Sequence, residues 1–119
     1  MAEIESIDDR ILDALSDDVG KRILTMTDRR AMSAHSLEEH CEASLATIYR
    51  RIEELLDLGL LREQTCVQSD GNHYRQFESN LEHLAVTLDD GDLHVDVDRR
   101  DDAPDHFRTI WDAMQRGLD

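Results

Sequence analysis

The spacing of apolar residues predicts two helices at the start of the chain. Apolar side chains recur every three or four residues up to about Leu15, which is the spacing of one face of an amphipathic helix. The members of this face are Ile4, Ile7, Ile11, Leu12 and Leu15. The following Ser16-Asp17-Asp18 offers a capping residue and first-turn carboxylates for a second helix, which we expect to end near Thr27.

A short helix, a tight turn and a longer helix are predicted next. Ser36 is expected to cap the short helix, which ends near Cys41, and Glu39 occupies the capping-box position. Ser44 then opens the longer helix, over residues 44–57. One face of this helix is apolar, at Ile48, Ile52, Leu55 and Leu56.

After Gly59, which is placed to end this helix in a left-handed conformation, the pattern becomes that of strands. Extended segments cover residues 60–68 and 73–77, and an Asp-Gly turn between them is a strong hairpin signal. A second Asp-Gly turn predicts another hairpin over residues 82–98. The sequence leaves open whether this second hairpin extends a sheet or recruits a partner.

A last helix is predicted over residues 103–118, with Pro104 in its first turn. Its apolar stripe consists of Phe107, Ile110, Trp111, Met114 and Leu118. A chain of 119 residues is in the usual range for one domain, so we expect a single domain over residues 1–119.

The segment from Ser36 to Phe77 resembles the winged helix-turn-helix of ArsR-like transcription regulators. In that superfamily the second helix of the motif has a polar cap, small and polar residues, an arginine, and a leucine run that closes on a glycine. The matching positions are Ser44, Thr47, Ile48, Arg50, Ile52, Leu55, Gly59 and Leu60. Upstream, Ala14-Leu15-Ser16-Asp17 and Arg22-Ile23-Leu24 extend the likeness to residues 12–77. The implied fold is mainly α with small antiparallel β: a winged-helix core, an additional hairpin and a terminal helix.

The resemblance implies a sequence-specific regulator that binds double-stranded DNA. A helix fits the major groove when one face is anchored and the other presents donors and short side chains near its N-terminus. The DNA-binding residues expected on this helix are Ser44, Ala46, Thr47, Tyr49, Arg50 and Arg51. Arg50 is the candidate for a base edge and Arg51 for a phosphate. The alternative is a solvated helix face with ion pairs from Arg50 to Glu53 and from Arg51 to Glu54.

Further DNA contacts are predicted outside that helix. The candidates at the hairpin tip, or wing, are Asn72, His73 and Arg75. Asp70 departs from the basic tip that is common in the family, which leaves Arg75 as the main expected wing contact. Arg29 and Arg30 are candidates for backbone phosphates, although an exposed loop pair explains them equally well.

The charge of the chain is strongly acidic but unevenly distributed. The formal net charge is -15, yet residues 21–62 hold seven basic and seven acidic side chains, so the excess lies outside the DNA-binding segment. A single lysine, Lys21, against many arginines and aspartates resembles proteins of extremely halophilic archaea, and the alternative is an ordinary acidic mesophilic protein. At molar salt the Debye length is about 3 Å, so the acidic surroundings would repel DNA weakly.

We expect a homodimer that reads a palindromic operator and pairs through its terminal helices. The predicted dimer surface consists of Ile4, Ile7, Ile11, Phe107, Ile110, Trp111, Met114 and Leu118. The alternative is that the last stripe packs on the first helix of the same chain.

Other classes of protein are less well supported. The sequence has no apolar run long enough to span a membrane and no signal peptide, so we expect a cytoplasmic protein. Enzymatic motifs are lacking, and we expect no catalytic residue, cofactor or metal. Two alternatives remain: an adaptor that binds proteins through its acidic surface, and a metal- or redox-responsive repressor using His35, His40 or Cys41.

Overall fold

The computed structural model describes residues 6–101, and the predicted helix over residues 103–118 lies outside them. The elements are α1 (Ile7–Ser16), α2 (Asp18–Arg29), α3 (Ala34–His40), α4 (Leu45–Asp57), β1 (Leu61–Val67), β2 (His73–Ser79), β3 (Leu81–Asp89) and β4 (Asp92–Arg99). Contacts divide the chain after Asn80 into two compact units. The first contains α1 to β2, and the second contains the hairpin of β3 and β4.

The predicted order of four helices and two hairpins is confirmed, but their proportions differ from the prediction. Helices account for 44% of the described residues and strands for 33%, so the fold is mixed α/β rather than mainly α. The strands form two antiparallel sheets of two strands each. The prediction underestimated them because β2 continues to Ser79 and β3 already begins at Leu81.

Short polar side chains set the helix starts. The cap of α2 falls within the predicted Ser16-Asp17-Asp18 segment and is Asp17, whose Oδ2 atom accepts a hydrogen bond from the backbone N–H of Gly20 at 2.8 Å. The predicted cap of α3 is wrong. Ser33 rather than Ser36 occupies that position, and its Oγ accepts from the N–H of Ser36 at 3.2 Å. Because Ala34 is buried, the first turn of α3 belongs to the core and begins before Ser36.

The core of the first unit lies among α2, α3, α4 and the β1–β2 hairpin. Its fully buried large apolar side chains are Ile23, Leu37, Ile48, Ile52, Leu55, Leu60 and Phe77. Burying one such side chain contributes about 1.5–3 kcal/mol. The buried hydroxyl of Thr27 donates to the carbonyl of Ile23 at 2.7 Å, so this polar group is satisfied inside the core.

The β1–β2 hairpin is joined to the rest of the first unit at its base. Its register runs from Leu61 opposite Ser79 to Val67 opposite His73. Next to the strands, Met32 exchanges two backbone hydrogen bonds with Phe77, at 2.9 and 2.8 Å. This isolated antiparallel bridge pairs the segment between α2 and α3 with β2.

The connection between α4 and β1 is fixed from both sides. Gly59 has a φ of 73°, the left-handed conformation predicted for the end of α4. The side-chain amide of Asn80 donates to the carbonyl of Gly59 at 3.0 Å, and the backbone N–H of Asn80 donates to Leu60 at 2.9 Å. The two ends of the hairpin are therefore held beside the last turn of α4.

The second unit is a hairpin with one apolar face. Asp90 and Gly91 have φ values of 51° and 84°, which is typical of a two-residue type I′ turn. Three directly paired positions carry only apolar residues: Leu84 with Val97, Val86 with Val95, and Leu88 with Leu93. Because strand side chains alternate between faces, these pairs share one side of the hairpin.

Candidate nucleic-acid interface

Helix α4 is anchored by one face and capped at its start. Ile48, Ile52 and Leu55 are at most 1% exposed, which confirms the predicted inner face. Ser44 caps the helix: its Oγ accepts from the backbone N–H of Thr47 at 3.2 Å and lies 3.1 Å from the Thr47 hydroxyl. Ser44 and Thr47 thus hydrogen-bond to each other across the first turn.

The outward face of the first half of α4 is open to solvent. Ala46, Tyr49 and Arg50 are exposed, with Tyr49 at 39%, and Thr47 is half-buried. Neither Tyr49 nor Arg50 is occluded inside the first unit. The face presents one methyl group, one phenol and one guanidinium beside a capped helix N-terminus.

Arg50 and Arg51 have different surroundings. Arg50 forms no ion pair with any of residues 6–101, and the alternative pair with Glu53 is not formed. Arg51, the predicted phosphate contact, instead donates through Nε to Asp17 at 2.9 Å and lies 3.4 Å from Glu54. Its side chain is only 24% exposed. Arg51 therefore links α4 to the cap of α2, and its role as a phosphate contact stays a prediction.

The partners of the capping carboxylate of Asp17 change its pKa. Partial burial alone would raise its pKa, but the hydrogen bond from Gly20 and the neighbouring Arg51 guanidinium outweigh burial and lower the pKa below its ordinary value. Asp17 is accordingly held in its charged form. Its cap was predictable from the sequence, whereas its pairing across 34 positions was not, because no local pattern announces it.

The predicted wing contacts are largely engaged within the protein. Arg75 donates to Glu63 at 2.5 Å and to Glu53 of α4 at 3.3 Å. Its guanidinium also stacks 5.0 Å from the ring centre of Phe77. Arg75 therefore joins β1, β2 and α4, and its role as a wing contact stays a prediction.

At the tip of the same hairpin, Asp70 accepts two hydrogen bonds from Asn72. One comes from the backbone N–H and one from the side-chain amide, both at 2.9 Å. His73 is exposed. Of the three predicted wing residues, only His73 presents a polar side chain to solvent without a partner among residues 6–101.

The charges of α4 separate along its length. Residues 44–50 contain no carboxylate. The three carboxylates of its second half each meet an arginine: Glu53 with Arg75, Glu54 with Arg51, and Asp57 with Arg10. Since helix N-termini also carry a partial positive charge, the first half of α4 favours an anion more than the second half does.

The predicted dimer surface is corrected at one described position. Ile11 is 3% exposed and belongs to the core, so it cannot contact a second chain. Ile7 is 53% exposed and remains accessible. The other members lie outside the described residues: Ile4, Phe107, Ile110, Trp111, Met114 and Leu118.

Cys41 does not have the surroundings of a reactive thiolate. Cys41 is buried, and this burial raises the pKa of its thiol despite the nearby positive charge of Arg22. The thiol of Cys66 donates to the side-chain carbonyl of Gln76 at 3.2 Å. Within residues 6–101, no three His, Cys, Asp or Glu side chains cluster in a way that could hold a metal ion.

Helices α1 to α4 are also too short or too polar to cross a bilayer, and this holds for the whole described part of the chain. The chain matches no model of a known protein family, and no curated protein matches it. The features that bear on function therefore lie in the first unit, above all on α4.

Proposed function

We propose that this protein is a sequence-specific DNA-binding transcription regulator with an ArsR-like winged helix-turn-helix. One observation carries the proposal: α4 is anchored by its apolar face while its first half offers an unpaired Arg50 and no carboxylate to solvent. The preceding α3 and the following β1–β2 hairpin complete the arrangement expected of such a motif.

In this proposal the exposed face of α4 lies in the major groove. Arg50 has the rigid, planar fork of donors that matches the O6 and N7 acceptors of guanine. Ala46 and the methyl group of Thr47 are small enough to approach a thymine methyl. The hydroxyl of Tyr49, which is adjacent to Arg50 in α4, supplies an additional hydrogen-bonding group.

In this proposal Arg51 and Arg75 hold α4 in position rather than contacting DNA. Arg51 and Arg75 neutralise Glu54 and Glu53, which would otherwise face the phosphates as bare carboxylates. Because Arg51 and Arg75 are already engaged with carboxylates, fewer phosphate contacts are available around α4, and we expect DNA affinity to fall less steeply with salt than for a strongly basic binding domain. Such a weak dependence suits a protein that works in concentrated salt.

We also infer that the regulator is a homodimer. The apolar face of the second unit supports this inference, since Val86, Leu88 and Leu93 are 50%, 74% and 48% exposed. A two-stranded hairpin alone is marginally stable in water, and a second chain would bury this face. Two copies of α4 would then read the halves of a palindromic operator.

The test is selection of preferred DNA sites by the full chain in molar KCl, followed by binding measurements with Arg50→Ala. We expect an inverted-repeat site and a loss of about 1–3 kcal/mol for the variant, confined to one base position in each half-site. Arg62→Ala is the matched control, because Arg62 lies on β1 and pairs with Glu78. The proposal fails if no site is enriched, or if both variants bind like the parent chain.

A second candidate function is a protein-interaction adaptor. It is favoured by the tip of the second hairpin, where Asp89, Asp90 and Asp92 are exposed beside Leu88 and Leu93. Such a mixed acidic and apolar tip suits a basic protein partner. Charge reversal at these aspartates, together with Arg50→Ala, separates the two functions: only the adaptor depends on the tip and tolerates loss of Arg50.

A further inference from the structure

A concave cleft of about 530 Å³ lies along one face of α2. Arg22, Met26 and Arg29 stand at positions i, i+4 and i+7 of the helix and therefore share that face. Arg30 and Met32 line the cleft from the segment after α2, and His40 lines it from the end of α3. The volume is in the range of small-molecule sites, about 300–1,000 Å³.

The arginines of this cleft differ from most other arginines of residues 6–101 in having no carboxylate partner. Arg22, Arg29 and Arg30 are exposed and pair with no carboxylate of residues 6–101. Elsewhere in this part of the chain, carboxylates hold Arg10, Arg51, Arg62, Arg75 and Arg100. In a chain with 28 acidic and 13 basic residues, three unpaired guanidinium groups on one concave surface are a concentrated positive site.

Among the described residues, the lining of the cleft contains no acidic side chain. An adjoining cleft shares Arg22 and His40 but adds Asp18 and Glu42. This cleft therefore has the more positive lining of the two, and its Arg29 and Arg30 end is not shared with the cleft that Asp18 and Glu42 line. The C-terminus of α2 also lies at that end, and its partial negative charge opposes an anion, so the guanidinium groups must supply the attraction.

We propose that this cleft binds a small organic anion that carries two or more phosphate groups. Guanidinium groups hold phosphate oxygens through paired, charge-assisted hydrogen bonds, which remain directional when salt screens long-range attraction. Met32 is buried at 4% exposure and provides an apolar floor for the organic part of the ligand. No residue of α4 lines the cleft, so this binding does not depend on the DNA-binding proposal.

A DNA backbone contact by Arg29 and Arg30 is the competing use of the same side chains. A duplex backbone is a broad convex surface, and cations on a protruding surface are enough to meet it. A concavity with an apolar floor and cations from several segments fits a compact ligand better.

The experiment is calorimetric titration of the full chain with pyrophosphate and, separately, with ATP, in dilute and in molar KCl. We expect saturable binding, tighter for ATP, and a loss of about tenfold for each guanidinium removed by Arg29→Gln or Arg30→Gln. Arg62→Gln is the matched control and should bind both probes like the parent chain. Arg29→Lys keeps the positive charge but loses the planar set of donors, so its affinity should lie between those of the parent chain and Arg29→Gln.

A measurement on the unaltered chain covers the case in which a variant folds poorly. The Nε–H NMR signals of Arg22, Arg29 and Arg30 should shift on addition of pyrophosphate, while that of Arg62 stays in place. The proposal is overturned if the parent chain binds neither probe, or if only the control signal moves. If Arg29→Gln weakens DNA binding while the parent binds no small phosphate, the backbone contact is the correct role.

The two proposals fail separately in these experiments. Arg50→Ala should lose discrimination at one base position in each half-site and leave the affinity for pyrophosphate unchanged. Arg29→Gln should weaken pyrophosphate binding about tenfold and leave the DNA-site preference unchanged.

Discussion

Arg51 of α4 donates through Nε to the Oδ2 atom of Asp17 at 2.9 Å, and the same oxygen accepts the N–H of Gly20 that caps α2. One carboxylate therefore stabilises the start of α2 and fixes the middle of the proposed DNA-reading helix. This contact gives Arg51 a structural role although it stands directly beside Arg50.

The cap and the ion pair at Asp17 can be separated by mutation. Asp17→Ala removes both and should lower the free energy of unfolding by about 2 kcal/mol, mostly through the lost cap. Asp17→Ser keeps a capping oxygen and should cost less than about 1 kcal/mol, because the pair is partly exposed. Urea unfolding at constant salt measures both. Equal losses in the two variants would show that the ion pair, rather than the cap, dominates.

The pH dependence of stability should carry the signature of Asp17. Its pKa in the folded chain lies below the ordinary value of 3.8, so the charged carboxylate favours the folded state above that pH. This contribution is lost as the pH falls through the folded pKa. Thermal unfolding between neutral and acidic pH should therefore show a shallower loss of stability for Asp17→Asn than for the parent chain. Identical slopes would contradict the prediction.

Gly20 is expected to resist a substitution that usually strengthens helices. Glycine to alanine in a helix typically gains about 1 kcal/mol. A Cβ atom at Gly20 would instead lie 2.8 Å from the backbone carbonyl oxygen of Ala14, which cannot move aside without shifting α1. We expect Gly20→Ala to cost about 1–3 kcal/mol in denaturant unfolding. Thr25→Ala on the exposed side of α2 is the control and should be neutral or stabilising.

The proposed dimer can be tested on the apolar face of the second hairpin. Leu88→Asp places a charge where Leu88 pairs with Leu93, and should convert the dimer into a monomer in light-scattering measurements at molar KCl. Thr87→Asp, one residue away on the opposite face, should leave the mass unchanged. A monomeric parent chain, or equal behaviour of the two variants, would exclude this face as the dimer contact.

Local patterns predicted most of the architecture because their causes are local. The apolar face of α4, the Ser44 cap, the left-handed Gly59 and both Asp-Gly turns depend on neighbours within a few positions. The start of α3 was wrong because two serines three residues apart can each cap, and only packing of Ala34 decides between them.

The candidate site was less predictable, because the long side chain of arginine can pair with carboxylates that are distant in sequence. Arg50, Arg51 and Arg75 look equivalent in sequence, but Arg51 and Arg75 meet carboxylates 34 and 22 positions away. Which guanidinium remains free depends on how the elements pack, which no short motif encodes. The same holds for Arg22, Arg29 and Arg30, which come together only when α2 and the following segment line one cleft.

The contacts of Arg75 have a mechanical consequence. By holding Glu63 of β1 and Glu53 of α4 from its own position on β2, this side chain cross-links wing and helix. The two elements would then approach a duplex as one preorganised body, and little motion would be frozen out on docking. An operator half-site would have to match a spacing already set in the free protein, so selectivity would reside in rigidity as well as in contact with bases.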